Sequence, residues 1–119
     1  MHEMAVCQGL IDQVEEVARA EHGRRVARIE LSVGPLSGVE PQLLQQAFPL
    51  AAAGSLAEGA LLAIETAPVR VHCDECGHDS EAGPTRLVCR HCGNWRTRLL
   101  SGDELLLMRV EIIREQAYV

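Results

Sequence analysis

Apolar residues recur at steps of three and four from the start of the chain. Met4, Cys7, Ile11, Val14 and Ala18 fall on one line, and Leu10 and Val17 widen it. Asp12, Glu15, Glu16 and Arg19 take the other face, so an amphipathic helix is predicted, with Gly23 as its stop. The period then drops to two. Ala27, Ile29, Leu31 and Val33 alternate with Arg28, Glu30 and Ser32, which predicts a strand over 26–34. Gly34-Pro35 and Ser37-Gly38 punctuate the loop that follows. Pro41 suits a first helical position, and Leu43, Leu44, Ala47, Phe48 and Ala51 build the apolar face of a second helix. Pro49 is expected to kink that helix or end its regular part.

Leu61 to Val71 reads as a second strand, with Leu62, Ile64 and Thr66 on one face and a break or an edge at Pro68. Beyond a turn at Ser101-Gly102-Asp103, Leu106, Met108, Val110 and Ile112 alternate with Leu107, Arg109 and Glu111 as a third strand. Between these two strands the pattern fails, and composition shifts at His72 and near Leu99. The fold expected is α+β: two helices packed on a small three-stranded sheet, with an inserted zinc-ribbon-like module. One module comprises residues 1–71 and 100–119, the other residues 72–99. The insert is expected at the tip of a hairpin whose arms are the second and third strands.

The insert carries the chemistry. Cys73 and Cys76 form one Cys-x-x-Cys knuckle, and Cys89 and Cys92 form another. Two residues between cysteines let both sulfurs of a tight turn face one cation, and two such turns supply the four thiolates of a structural zinc site. The intervening span fits a short hairpin. Gly77 and Gly93 each follow a second cysteine, where a knuckle often needs positive φ. Leu87, Val88 and Trp95 lead a short list of apolar residues here, so a metal supplies what the core lacks. Two disulfides would suit an exported protein. A thioredoxin-type redox pair would leave one knuckle surplus. Iron in a rubredoxin-like site uses the same ligand set. His72, His78 and His91 stand nearby as solvated groups or supports of the shell, or as residues that swap into it. Cys7, on the helix stripe, reads as a small core residue.

Composition narrows the classes. The chain has 119 residues, enough for one modest domain plus a metal-held appendage, and its 47% hydrophobic content predicts a packed core. A net charge of −6 is the wrong sign for binding nucleic acid through phosphate neutralisation. Aromatic residues, at 3%, provide no stacking platform for single strands. All eleven basic residues are arginine, which excludes a Walker A loop and any catalytic or Schiff-base lysine. Neither a Gly-x-Ser-x-Gly elbow nor a Rossmann glycine pattern occurs. No run is long enough to span a membrane and no signal-peptide pattern opens the chain, so a cytoplasmic location with reduced cysteines is expected.

Met1-His2-Glu3 is a second metal candidate. An initiator methionine is expected to remain before histidine. The α-amine of Met1, the backbone nitrogen of His2 and its imidazole can then close adjoining chelate rings. With a fourth donor they make a nitrogen-rich square plane, which suits Ni(II) or Cu(II). Glu3 adds a carboxylate next door. As a bare motif this is weak, because most second-position histidines are incidental.

The chain as a whole resembles the HypA/HybF family, the nickel-incorporation proteins of nickel–iron hydrogenase maturation. The resemblance rests on Met1-His2-Glu3, Ser32-Val33-Gly34, Val39-Glu40-Pro41, Ala47-Phe48 and the knuckles at Cys73, Cys76, Cys89 and Cys92, in family order over nearly the full length. It implies a metallochaperone, not an enzyme, with nickel as cargo at Met1, His2 and Glu3, and zinc as a structural ion at the four cysteines. The module of residues 1–71 and 100–119 would then be the nickel-binding one. Expected partners are a HypB-type GTPase and the hydrogenase large subunit, and for some members urease maturation proteins; a homodimer is also open to it. Glu40, at the end of a glycine-containing loop, is a further nickel candidate; equally, it is a carboxylate at a helix amino terminus, where negative charge is favoured. Pro49 departs from the family pattern and bears only on the helix. The rival reading is a zinc-ribbon adaptor of transcription or RNA processing, opposed by the acidity and the missing aromatics.

Overall fold

The structure, a computed structural model, describes residues 3–114. Its elements are α1 (Glu3–Ala20), β1 (Gly23–Val33), α2 (Pro41–Ala52), β2 (Leu61–Thr66), β3 (Val69–Cys73), β4 (Asp79–Ala82), β5 (Thr97–Ser101) and β6 (Leu105–Arg114). They form an α+β fold with two three-stranded sheets, ordered β2-β1-β6 and β4-β3-β5. By internal contacts the described chain divides into two compact units, residues 3–31, 40–64 and 107–114, and residues 32–39 and 65–106.

In the first unit α1 buries Glu3, Cys7, Leu10, Ile11, Val14 and Ala18, one face of a helix. Met4 and Val17, expected on that stripe, are exposed. The buried face is turned so that Glu3, a charged residue, takes the place predicted for Met4. His22 ends the helix in the left-handed region at φ 58°. Gly23, the predicted stop, instead opens β1, where a Cβ would run into Ile112 Cγ2 of β6. Central β1 buries Val26, Ile29, Leu31 and Val33. The alternation slips by one residue before Ile29, so Ala27, predicted to face inward, is exposed.

Helix α2 starts at Pro41 as predicted and buries Leu44, Phe48, Ala51 and Ala52, while Leu43 stays exposed. Glu40 is its N-cap, with Oε1 accepting the Gln42 amide at 3.4 Å. Pro49 does not end the helix, which continues to Ala52. It lies on the exposed face, where water can satisfy the carbonyl that a proline cannot. Cys7, fully buried, donates its thiol to the Leu44 carbonyl at 3.6 Å and joins the two helices. Burial first, and the Glu3 carboxylate second, push the Cys7 thiol up and keep it protonated. Its reading as a core residue holds.

The predicted strand over 61–71 is two strands in different sheets, broken at Ala67-Pro68. The hairpin expectation also needs correction. β1 lies between β2 and β6, so those two strands are not neighbours. The arms that pair are β3 and β5, antiparallel, with Val71 opposite Leu99 and Cys73 opposite Thr97. β4 pairs antiparallel with the other edge of β3, His72 opposite Asp79 and Val69 opposite Ala82. The span between the knuckles is β4 followed by a two-residue turn that an antiparallel bridge between Gly83 and Arg86 closes, the short hairpin its length suggested, with only its first arm a regular strand. The segment of residues 32–39 is tied into this second unit by the Gly34 amide on the Glu104 carbonyl and the Leu36 amide on the Gly102 carbonyl, both 2.8 Å. There Gly34 passes so close to Gly102 that a Cβ would overlap the Gly102 carbonyl.

That crossing makes a paired stability test. Gly34→Ala forces backbone against backbone and is expected to destabilise the protein by about 1–3 kcal/mol. Gly9, inside α1 with open space around it, is the opposite case. Gly9→Ala removes unfolded-chain entropy and is expected to stabilise by about 0.5–1 kcal/mol. Denaturant unfolding of the two variants beside the parent measures both signs.

Candidate metal centre

Strand β3 delivers Cys73 at its end, with Val69, Val71 and Cys73 buried on one face. The chain then turns back on itself. The Gly77 amide returns to the Cys73 carbonyl at 3.0 Å, and Gly77 has φ 77°. The second knuckle repeats the geometry, with the Gly93 amide on the Cys89 carbonyl at 2.8 Å and Gly93 at φ 76°. Both glycines occupy the left-handed region, as their place after the second cysteine predicted. Backbone amides also point at sulfur: Cys76 N–H at Cys73 Sγ (3.4 Å), and His91 and Cys92 N–H at Cys89 Sγ (3.3 and 3.5 Å). Such donors favour thiolate over thiol.

The four sulfurs lie within 4.8 Å of one another. Cys73 and Cys92 are 3.6 Å apart, as are Cys76 and Cys89. A tetrahedral shell with metal–sulfur bonds of about 2.3 Å has edges of about 3.8 Å, so the cluster has the dimensions of a closed four-thiolate zinc site. All four cysteines are free, and the separations are those of ligands around an ion, not of disulfides. Without a cation the sulfurs cannot ionise together. The Cys89 thiol is lowered to about 6, led by the Cys92 amide and helped by that of His91 against its burial. The Cys76 thiol is pushed up to about 12; the His78 amide pulls it down, but burial and the sulfurs of Cys89, Cys73 and Cys92 outweigh that. A divalent ion removes this conflict by making every thiolate a ligand.

The histidines stand around the cluster. His78 Nδ1 is 3.4 Å from Cys76 Sγ, and its ring stacks on that of His91 with centroids 4.4 Å apart. His72 Nδ1 is 2.7 Å from the Asp79 carboxylate, across the β3–β4 pairing. Sequence reasoning missed Ser80, which is buried and whose Oγ accepts the Arg90 amide at 3.1 Å, fastening the second knuckle to β4. A serine alternating inward in a strand is the only signal it offered.

Of the amino-terminal candidates, Met1 and His2 lie outside the described residues. Glu3 is 5% exposed, and its Oε2 accepts the Glu40 amide at 3.2 Å. The structure thus brings together Glu3 and Glu40, 37 residues apart in sequence. The Glu40 carboxylate itself caps α2 and is exposed.

The cluster sets a direct expectation. Cys89→Ala should drop zinc content from about one per chain toward zero and unfold the second unit, because the metal supplies folding energy there. Cys7→Ala should leave zinc unchanged. Elemental analysis with circular dichroism reads both; full zinc retention in the Cys89→Ala protein would remove Cys89 from the ligand set.

Comparison with known proteins adds the family. The family model described as "HypA: Hydrogenase/urease nickel incorporation, metallochaperone, hypA" matches residues 1–112. The Hydrogenase maturation factor HypA of Nitrosospira multiformis is 49% identical over 113 residues, 95% of this chain and 98% of that protein. The factor of the same name from Aquifex aeolicus is 36% identical over 112 residues, 94% of this chain and 97% of that one. The solution structure of the Ni metallochaperone HypA from Helicobacter pylori superposes with a TM-score of 0.71 at 27% identity, covering 97% of this chain and 100% of the other. With four clustered sulfurs, two helices and two small sheets as its frame, the chain belongs to the HypA family, the non-enzymatic nickel metallochaperones of hydrogenase and urease maturation.

Proposed function

We propose that this chain carries Ni(II) on its amino-terminal residues and holds zinc as a fixed structural ion on Cys73, Cys76, Cys89 and Cys92. The observation that carries the zinc assignment is the set of four sulfurs at tetrahedral spacing. For nickel, the support is the family match beginning at residue 1 and the proximity of Glu3 to Glu40. Met1 contributes its amine, His2 its imidazole and backbone nitrogen, and Glu3 a backbone or carboxylate donor. Glu40 is the further carboxylate within reach of Glu3. A nitrogen-rich plane of this kind suits Ni(II). The nickel-binding module comprises residues 1–71 and 100–119, and the zinc module residues 72–99. The protein works in the cytoplasm. No helix among the described residues is long and apolar enough to cross a membrane.

Cargo must be handed on. The partners proposed are a HypB-type GTPase, which supplies the nucleotide chemistry this lysine-free chain lacks, and the hydrogenase large subunit as recipient. Purified HypB-type GTPase is expected to form a direct complex with this chain. Size-exclusion chromatography with and without nucleotide and nickel tests it, and separate elution under every condition would end that assignment.

The amino-terminal site has a sharper test. One residue added before Met1 turns the amine into an amide and moves His2 out of second position. An amino-terminal tag should therefore abolish tight nickel binding with zinc content unchanged, a carboxy-terminal tag should do neither, and His2→Ala should match the amino-terminal tag. Binding should weaken in mild acid. A terminal amine of pKa about 7.7–8.0 and an imidazole near about 6.5 must both lose protons to ligate, so affinity is fullest above those values and falls as pH drops through them. Calorimetric titration decides, and equal affinity in all four proteins would rule the site out.

A further inference from the structure

A second recognition feature lies in the unit that carries the four cysteines. Strand β4 and the segment leading to the second knuckle enclose an open cleft of about 300 Å³. Its lining combines Ala82, Gly83 and Val88 with the charged residues Glu81, Arg86 and Arg90. The cleft exists because the Gly83–Arg86 bridge and the bond from the Arg90 amide to Ser80 Oγ hold the returning segment beside β4 at two points.

Its charge is out of keeping with the chain. The protein is acidic, at −6, and the nearby arginines are spoken for: Arg96 pairs with Glu75 at 3.2 Å and Arg98 with Asp74 at 2.9 Å. Arg86 and Arg90 have no side-chain partner among the described residues. Two unpaired guanidiniums therefore share the lining with a single carboxylate, Glu81, and with apolar residues. A planar guanidinium is suited to a two-pronged grip on carboxylate. The apolar residues beside the two arginines suit a segment that carries apolar as well as acidic side chains.

We propose that this cleft docks an extended, carboxylate-rich peptide segment of a partner protein. Arg86 and Arg90 hold its acidic side chains, and Ala82 and Val88 receive an apolar side chain between them. A free small anion fits less well. Exposed charges in water hold a lone carboxylate weakly, and such a ligand leaves the apolar lining unused. The acidic chain and Glu81 disfavour a nucleic-acid backbone. The proposal does not depend on how nickel is held.

The test uses the zinc-loaded full chain and a short fluorescein-labelled peptide alternating glutamate and leucine. Fluorescence anisotropy should show saturable binding that weakens with added salt. The same peptide with glutamine in place of glutamate should bind far more weakly. Arg86→Gln and Arg90→Gln should each weaken binding about tenfold, the scale of one lost charge-assisted hydrogen-bonding group. Arg25→Gln, the same change of charge on β1 in the other unit, should have little effect. Zinc content is measured for each variant; if Arg90→Gln disturbs the knuckle, Arg86→Gln alone decides. Four results overturn the proposal: no saturable binding, equal binding of the glutamine peptide, parental affinity in Arg86→Gln, or displacement of the peptide by equimolar inorganic phosphate or glutarate.

Discussion

Four sulfurs gathered within 4.8 Å impose the strongest constraint on this molecule. Two thiolates 3.6 Å apart repel by roughly 5 kcal/mol at an effective dielectric of about 20, and four cannot coexist without a cation. The second unit is built around that requirement. Its strands are short, β3 buries only Val69, Val71 and Cys73, and β5 buries none of its residues. Such a unit lacks the apolar area to organise itself. The paired turns at Gly77 and Gly93, the amides aimed at sulfur and the clasp from Ser80 to Arg90 are all arranged to present one shell. Coordination therefore does in this unit what side-chain packing does in the other.

Glu3 shows how a residue singled out for metal chemistry can also be structural. It occupies a buried position on the α1 stripe, where an isolated carboxylate would be costly. Its bond to the Glu40 amide offsets part of that cost and fixes the entry to α2. Glu40 in turn spends its own carboxylate on the helix cap. A change at Glu3 thus alters the packing of α1 against α2 as well as any ligand field, and loss of nickel binding in such a variant would not by itself make Glu3 a ligand. Variants at His2 and at the amine separate the two effects.

Much of the fold was legible because local pattern and tertiary need agree. The knuckles are set by spacing, and both helices and central β1 by period. What was not legible depended on partners far away in sequence. The split of residues 61–71 into β2 and β3 arises because the two halves join different sheets, and Pro68 signals a break without saying where each half goes. The central place of β1 is a pairing choice that no window of sequence contains. Gly23 looked like a helix stop but answers to Ile112, nearly ninety residues on. The inward turn of Glu3 in place of Met4 follows from the Glu40 amide, which periodicity cannot see. The cysteine cluster was readable as a set, whereas Ser80 and the Arg86–Arg90 cleft needed the β4 pairing to bring them together.

The zinc and nickel donor sets proposed above differ in the property that separates storage from transport. Four thiolates fill a tetrahedral shell and leave no open position for an incoming ligand, so exchange must begin by breaking a bond within a folded unit. An amine, a backbone nitrogen and an imidazole make a plane whose faces stay open, and two of the three titrate near neutral pH. A recipient can then add a ligand before the first is lost, and a proton can assist each departure. On the proposed assignment, the same chain keeps one metal by closing its shell and releases another by leaving its shell open.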